Sequence, residues 1–226
     1  MNEFDDFIIE SPYILTETDK LAIAQASPNG NNYKDWEKSC LADFKDRIRA
    51  YYKKKQYRRC AYCRTIVHES QASAEVEHIV PKSKREGWMY KTFNMCYSCK
   101  LCNANKGYQK PILANEDVED LPHDSIEYLL IHPHIDRYSE HIEIVGNILY
   151  KGISDKGKNT ISICGLNRYG LAAERAEDVI RIKGSKYEGY LLALVEADEN
   201  RFLVDVISKY KESIHNICEE YKALNV

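Results

Sequence analysis

The sequence predicts an α+β fold: a mostly helical chain with a small cysteine-rich module embedded in it. Five of the eight cysteines fall between residues 60 and 102, in Cys-x2-Cys spacing. On both sides of that segment, apolar residues recur at steps of three and four, which is typical of amphipathic helices. The segment itself is irregular and too polar to form a core unaided, so we expect a bound metal ion to support it.

The composition is that of a folded globular protein. The 226 residues are 44% hydrophobic and 30% charged, with only 6 Pro and 10 Gly, which excludes a disordered or collagen-like chain. No apolar run approaches the roughly 20 residues that span a bilayer, and Met1–Asp6 is acidic where a signal peptide would be basic and then apolar. We therefore expect a cytoplasmic protein without membrane contact.

The charge is strongly segregated along the chain. The net charge is −3, but residues 45–110 carry 16 Lys and Arg against 5 Asp and Glu, which leaves 16 against 30 elsewhere. Residues 45–59 alone hold eight cations and one anion, a density that attracts a polyanion. A charge run is also typical of a solvated helix face, so charge alone leaves both interpretations open. The candidate phosphate contacts in this run are Lys53, Lys54, Lys55, Arg58 and Arg59.

Residues 1–57 are predicted to form an N-terminal helical arm. A short helix is expected near Thr16–Ala26, and Ser27–Asn32 is rich in Pro, Gly and Asn, which indicates a loop. From Asp35 to Tyr57 the apolar spacing predicts one amphipathic helix that leads into the first cysteine pair. Its apolar positions include Trp36, Leu41, Phe44 and Ile48.

Residues 113–226 are predicted to form a C-terminal, mainly helical region. Two apolar runs around a Gly-Asn turn predict a β-hairpin at His141–Tyr150. Helices are expected at Lys158–Arg168, at Leu171–Ile182 and over much of 187–224. No G-x4-G-K-[ST] sequence is present, so the chain does not hydrolyse nucleotides through a P-loop.

Between these regions lies the cysteine module, residues 58–112. Thiols stay reduced in the cytosol, so clustered cysteine pairs there indicate metal ligands. Cys60-x2-Cys63 and Cys99-x2-Cys102 would give four thiolates around one Zn2+, a closed structural site. Cys96-x2-Cys99 is an equally good pair, so spacing alone does not choose between Cys96 and Cys102.

The candidate catalytic residues lie between and beside the cysteine pairs. Glu75–Lys82 alternates like a short strand and places Glu77 next to His78 before a proline. A histidine beside a carboxylate suits a general base next to a metal ligand, although an isolated Glu-His pair is most often a surface feature. Asn94 and Asn103, taken singly, are ordinary turn or cap residues.

Taken in order, these residues resemble the HNH endonuclease family. The resemblance rests on Cys60-x2-Cys63, on Glu77-His78-Ile79-Val80-Pro81, on Asn94 and on Cys99-x2-Cys102-Asn103-x2-Lys106. It implies a ββα-metal fold for the cysteine module. In the zinc-supported branch of that family the middle Asn stands five residues before the first Cys of the second pair. Asn94 and Cys99 meet this spacing, which favours Cys102 as the fourth ligand and makes Cys96 a packed thiol.

The resemblance also implies a role for each residue. His78 would accept a proton from the attacking water, and Asn94 would orient the loop and that base. Glu77 and Asn103 would hold a catalytic Mg2+ or Mn2+, since an all-oxygen site favours hard ions. Lys106 would contact a phosphate, and the products would carry 5′-phosphate and 3′-hydroxyl ends. Glu77 departs from the usual Asp or His, and Asn103 from the common His.

The order of signals after the module resembles a narrower group. His132-Pro-His-Ile-Asp136, the hairpin, the segment Lys158–Arg168 and Arg175 follow one another as in the Septu (PtuB-like) anti-phage HNH nucleases, some of them retron-associated. This implies a separate ATPase partner that docks on residues 113–226. Three histidines within residues 132–141 also suggest a second metal site, although a polar turn leading into the hairpin explains them more simply.

Three functional hypotheses follow. The first is a partner-regulated nuclease effector with nucleic acid, expected to be DNA, as its substrate. The second is a free-standing restriction or mobile-element endonuclease, and the third is a zinc-supported nucleic-acid-binding module without catalysis. The presence of Glu77, His78, Asn94 and Asn103 together favours an enzyme. The lack of a separate DNA-reading domain favours the first hypothesis over the second, and a neighbouring ATPase gene would discriminate between them.

Overall fold

A computed structural model describes residues 6–67 and 74–183. The chain divides into two compact units, Met1–Ile142 with Gly152–Leu166, and Glu143–Lys151 with Asn167–Val226. The helices are α1 (Glu17–Ala26), α2 (Ala42–Lys55), α3 (Lys100–Lys106), α4 (Asp155–Cys164) and α5 (Tyr169–Lys183). The strands are β1 (Ala74–His78), β2 (Met95–Cys99), β3 (Ile142–Val145) and β4 (Leu149–Gly152). Short 3-10 turns lie at Tyr33–Glu37, Ser39–Leu41, Glu86–Trp88, Thr92–Asn94, Ser125–Glu127 and Tyr138–Glu140.

The predicted α+β class is confirmed, with helices beside two antiparallel hairpins, β1-β2 and β3-β4. Helix α1 begins where the sequence predicts it. Thr16 caps it by accepting a hydrogen bond from the Asp19 amide, and Asp19 accepts one from the Thr16 amide in return. This reciprocal pair satisfies two backbone donors that a helix start otherwise leaves open. In the ranges 6–67 and 74–183, every helix is too short or too polar to cross a membrane.

The prediction of one continuous helix over Asp35–Tyr57 was wrong at its beginning. The chain forms two 3-10 turns first, and α2 begins at Ala42. Between the turns Lys38 has extended backbone angles, φ −66° and ψ 139°, which end the first turn. The Lys38 ammonium pairs with Asp35 at 2.7 Å, and Asn32 caps that turn. Apolar spacing of three and four residues fits such turns as well as it fits an α-helix, so the pattern did not reveal the break.

Helix α2 packs on the cysteine module and is attached to it at its end. Phe44, Ile48 and Tyr52 are buried along one face. Gln56, fully buried, donates from Nε2 to the Tyr97 carbonyl at 2.7 Å and accepts from the Tyr97 amide at 2.7 Å. The side-chain amide of Gln56 therefore makes the two hydrogen bonds that a neighbouring strand would make with β2. This pairing fixes the end of α2 against the hairpin.

The cysteine module contains a β-hairpin followed at once by a helix. β1 and β2 are antiparallel, with Glu77 opposite Cys96 and His78 opposite Met95. Helix α3 starts directly after β2, and the Cys99 sulfur accepts a hydrogen bond from the Cys102 amide at 3.4 Å. The order β1, β2, α3 is the ββα arrangement that the sequence predicts, with β1 ending at His78.

The predicted hairpin after the module is also present. Gly146 and Asn147 both have positive φ, 58° and 61°, as the tight turn between twisted strands requires. Helices α4 and α5 begin a few residues before the predicted Lys158–Arg168 and Leu171–Ile182. The helix expected over 187–224 lies outside the described residues.

Two side chains connect the two segments that make up the second unit. Asn167 accepts from the Tyr150 amide and donates to the Tyr150 carbonyl, both at 3.0 Å. Arg175 donates from Nε to the Asn147 carbonyl at 2.7 Å and from Nη1 to the Tyr150 hydroxyl at 3.1 Å. These contacts attach the start of α5 to the hairpin turn and to β4.

Candidate active site

Four cysteine sulfurs converge on one point in the cysteine module. The Sγ atoms of Cys60, Cys63, Cys99 and Cys102 all lie within 4.8 Å of one another, and those of Cys63 and Cys99 are 3.9 Å apart. Tetrahedral zinc with Zn–S bonds of about 2.3 Å would place the sulfurs about 3.8 Å apart. The Tyr62 amide also donates to the Cys60 sulfur at 3.4 Å. The cluster therefore fits a structural Zn2+.

Cys96 does not belong to this cluster. Side chains alternate between the two faces of a strand, so Cys96 and Cys99 of β2 point to opposite sides of the hairpin. The Cys96 side chain is fully buried, and burial raises the pKa of its thiol. Cys102 instead lies in the first turn of α3, next to Cys99. Strand geometry thus resolves the choice that spacing leaves open.

His78 is held as a neutral base at the end of β1. Its Nε2 lies 2.9 Å from the Met89 carbonyl oxygen. Because a carbonyl only accepts hydrogen bonds, Nε2 carries the proton and Nδ1 keeps a lone pair. Burial, with a contribution from the Lys82 charge, lowers the pKa of His78 to about 3. The Trp36 ring stands edge-on to the imidazole, with centroids 4.6 Å apart, and fixes its plane.

Asn94 braces the chain immediately after His78. It is fully buried, and its side chain accepts from the Val80 amide at 2.8 Å and donates to the Val80 carbonyl at 3.0 Å. Its own carbonyl accepts from the Ile79 amide at 2.8 Å. Three hydrogen bonds therefore fix the chain segment that directly follows His78. Asn94 itself is not in the cavity lining.

Glu77 and Lys106 form a buried ion pair. Glu77 Oε1 and Lys106 Nζ are 2.7 Å apart, and the two side chains are only 6% and 1% exposed. Burial raises the pKa of Glu77, against the lowering influence of Lys106. A carboxylate has lone pairs beyond the one that faces this ammonium, so Glu77 can also act as a metal ligand. The sequence places Lys106 on the correct helix but does not reveal its partner.

Asn103 of α3 faces a second glutamate of β1. Its Nδ2 donates to Glu75 Oε2 at 2.6 Å, which leaves its carbonyl oxygen for another ligand. Sequence reasoning did not include Glu75 among the site residues. The signal was available, because Glu75 and Glu77 are two positions apart on one strand and so share a face.

These residues surround a cavity of about 850 Å3. Its lining includes Glu75, Glu77, His78, Asn103 and Lys106, and also Tyr33, Trp36, Lys45 and Arg49. Two carboxylates and an amide oxygen beside a neutral imidazole suit a hard divalent cation. Five cations of the basic run lie outside this lining: Lys53, Lys54, Lys55, Arg58 and Arg59.

The histidines after the module support the fold of the hairpin. His132 and His134 pack on the Phe93 ring at 4.8 and 5.0 Å between centroids. His134 Nε2 lies 2.8 Å from the Met95 carbonyl oxygen, and Asp136 accepts from the His132 amide at 2.6 Å. Within residues 6–67 and 74–183, only the four cysteines form a group of three or more His, Cys, Asp or Glu side chains close enough to share a metal ion. The suggested second metal site at the histidines is therefore not formed by these residues.

Comparison with known families agrees with this geometry. Residues 60–109 match the family model described as HNH endonuclease. The matched range contains both cysteine pairs, the β1-β2 hairpin and α3. An HNH domain therefore occupies this part of the chain, and it indicates a metal-binding nuclease in general. A search of curated proteins finds no match to the chain.

The cysteine geometry predicts which thiols hold zinc. We expect purified wild-type protein and its Cys96→Ala variant each to contain about one zinc ion per chain. Cys102→Ala should contain far less and should lose the folded cysteine module, because binding of structural zinc supplies folding free energy. Metal analysis by mass spectrometry, with circular dichroism on the same samples, checks this. Zinc retained in Cys102→Ala and lost in Cys96→Ala would reverse the assignment.

The buried ion pair predicts a non-additive effect on stability. Lys106→Met leaves the Glu77 carboxylate buried without its cation, and should lower the free energy of unfolding by about 3–5 kcal/mol. Replacing both residues, as Glu77→Leu with Lys106→Met, should restore most of that loss, because the buried charges then disappear together. Urea unfolding of wild type, of Lys106→Met and Glu77→Leu singly and of the double variant, without added divalent cations, measures the coupling. Simple additivity of the two single changes would contradict the pairing.

Proposed function

We propose that the protein is a metal-dependent HNH endonuclease that cleaves phosphodiester bonds of nucleic acid, with DNA as the expected substrate. One observation carries the proposal: His78 lines the same cavity as Glu77 and Asn103 while its Nε2 proton is directed to the Met89 carbonyl. A neutral imidazole whose Nδ1 carries a lone pair, together with hard oxygen ligands for a metal ion, can activate a water molecule.

In this proposal His78 acts as the general base. Nδ1 takes a proton from water while the water oxygen attacks the phosphorus in line with the 3′-oxygen. The bond from phosphorus to that oxygen breaks, and the leaving oxygen takes a proton from solvent. The products carry a 5′-phosphate and a 3′-hydroxyl. Asn94 contributes by fixing the loop that positions the imidazole.

Glu77 and Asn103 are the residues that would hold Mg2+ or Mn2+ in this site. When bound, such an ion offsets the charge that develops on the leaving oxygen. The donor chemistry supports the fit, because a carboxylate and an amide oxygen are hard ligands of the kind that these ions prefer. Lys106 balances the Glu77 charge at 2.7 Å, and as a residue of the cavity lining it is also the proposed contact for a phosphate oxygen. The cysteine cluster has a structural task, since four thiolates leave zinc no open position.

We further propose that this nuclease is the cytoplasmic effector of a bacterial anti-phage system of the Septu (PtuB-like) kind. Support comes from the order of signals after the cysteine module, which ends in Lys158–Arg168, Leu171 and Arg175, and from the lack of a P-loop. In this proposal the region 113–226 docks a separate ATPase that controls cleavage. A free-standing endonuclease is the alternative if cleavage needs no partner.

Cleavage should depend on His78. We expect His78→Ala to reduce the rate of cutting by about 10²–10⁴-fold, because the general base is lost. Plasmid, single-stranded DNA and RNA are each incubated with Mg2+, with Mn2+ and without either, and the products are separated on gels. His123→Ala is a matched control, because this exposed histidine packs on Phe93 and is not in the cavity lining.

Full activity of His78→Ala with normal zinc content would overturn the assignment of the base. If wild-type protein binds these substrates and cuts none, even beside its partner, the binding module without catalysis becomes the better description.

The partner proposal has its own test. Where an ATPase gene lies next to this one, co-expression should give a complex of fixed stoichiometry in size-exclusion chromatography. ATP hydrolysis should then change the cleavage rate. A matched complex whose ATPase carries a disabled P-loop lysine is the control. No complex, together with unregulated cutting by the isolated chain, would instead indicate a free-standing endonuclease.

A further inference from the structure

Part of the cavity wall comes from residues that precede the HNH domain. Tyr33 and Trp36 of the first 3-10 turn, with Lys45 and Arg49 of α2, line the cavity that Glu77 and His78 also line. The family match starts only at residue 60. We call the pair Lys45 and Arg49 the α2 wall.

The two cations of the α2 wall share one helix face. They are four residues apart in α2, and side chains at this spacing are neighbours on a helix surface. Trp36 is buried and stands edge-on to both Phe44 and His78, so it connects the wall to the base. The position of the α2 wall relative to His78 is therefore fixed by packed aromatic rings.

Local contacts position these cations and leave most of their donors available. Lys45 Nζ donates to the Trp36 carbonyl at 3.0 Å, a neutral group that does not cancel its charge. Arg49 Nη1 pairs with Asp46 at 2.6 Å, but the two side chains are 42% and 71% exposed, and such exposed pairs are weak. An ammonium has three N–H donors and a guanidinium has five. Both residues can therefore bind an anion in the cavity.

The charge of the whole lining agrees with this. Five Lys and Arg face three Glu in the cavity, although the chain as a whole has a net charge of −3. Glu77 is balanced by Lys106. The remaining lining cations, Lys45, Arg49, Lys82 and Lys100, exceed the remaining carboxylates, Glu37 and Glu75, by two.

We propose that Lys45 and Arg49 bind backbone phosphates that flank the scissile phosphate, so that the first half of α2 is the nucleic-acid interface. This differs from the sequence expectation, which places the phosphate contacts at Lys53, Lys54, Lys55, Arg58 and Arg59. The inference rests on the proposed nuclease function and names the surface that orients its substrate. These two residues are positioning residues, and they take no part in the proton transfer.

The salt dependence of binding tests this proposal. Each phosphate contact contributes about 0.9 to the slope of log K against log salt on duplex DNA, and about 0.7 on a single strand. Lys45→Ala with Arg49→Ala should therefore lower the slope by about 1.8 or 1.4 and raise Kd roughly tenfold or more. Fluorescence anisotropy with labelled duplex DNA, single-stranded DNA and RNA measures it, with full-length protein in buffer free of Mg2+ and Mn2+.

The matched control removes the same charge from the same helix. Lys54→Ala with Lys55→Ala should leave the slope unchanged, because neither side chain lines the cavity. A second variant, Lys45→Arg with Arg49→Lys, keeps both charges and should restore the slope. Circular dichroism and zinc content show that each protein is folded.

Each outcome decides. A reduced slope only in Lys45→Ala with Arg49→Ala supports the proposal. A reduced slope only in the Lys54 and Lys55 variant would place the interface at the end of α2 and would overturn the proposal. Equal slopes in all variants of an enzyme that still cuts would overturn it too. If wild-type protein neither binds nor cuts any of the three nucleic acids, the proposed function fails and this inference fails with it.

Discussion

The convergence of four thiols determines how the site is assembled. Cys60 and Cys63 precede β1, whereas Cys99 ends β2 and Cys102 lies in the first turn of α3. A single ion between the two pairs would connect chain segments that are more than thirty residues apart. It also fixes where α3 leaves the hairpin, and so which side chains of α3 lie over β1. Asn103 against Glu75 and Lys106 against Glu77 follow from that placement.

The charges inside the site are costly, which argues for a functional reason to keep them. A buried Lys-Glu pair contributes little net stability, because the desolvation of two ions offsets their attraction. Glu77 and Lys106 are nevertheless almost fully buried at 2.7 Å. In the proposed function the carboxylate would be a hard ligand for a divalent cation, and the ammonium would balance its charge while no such ion is bound. The surroundings of His78 also determine its chemistry. Burial lowers the pKa of its ring, which keeps it neutral, and the Met89 carbonyl determines which ring nitrogen can accept a proton.

Features that depend on neighbours in the sequence were the predictable ones. The Cys-x2-Cys spacing, the helix start near Thr16 and the Gly146-Asn147 turn each depend on residues a few positions apart, and the structure contains each of them. Features that depend on distant contacts were missed. Gln56 pairs with Tyr97, and nothing in the local pattern around Gln56 signals a strand 41 residues away. The break before α2 was missed for a related reason, because apolar spacing does not distinguish a 3-10 turn from an α-helix over so few residues.

Charge density in the sequence shows that a segment is basic but does not show which way each cation points. Lys45 and Arg49 lie on the helix face that meets the cavity, while Lys54 and Lys55 of the same helix do not line it. The HNH domain at residues 60–109 contains the proposed ligands and the proposed base, and Trp36, Lys45 and Arg49, which precede it, also line the cavity. Enclosure excludes part of the water and lowers the local dielectric, which strengthens each charge that faces the substrate. In the proposed function, residues that precede the HNH domain would therefore help to position the substrate.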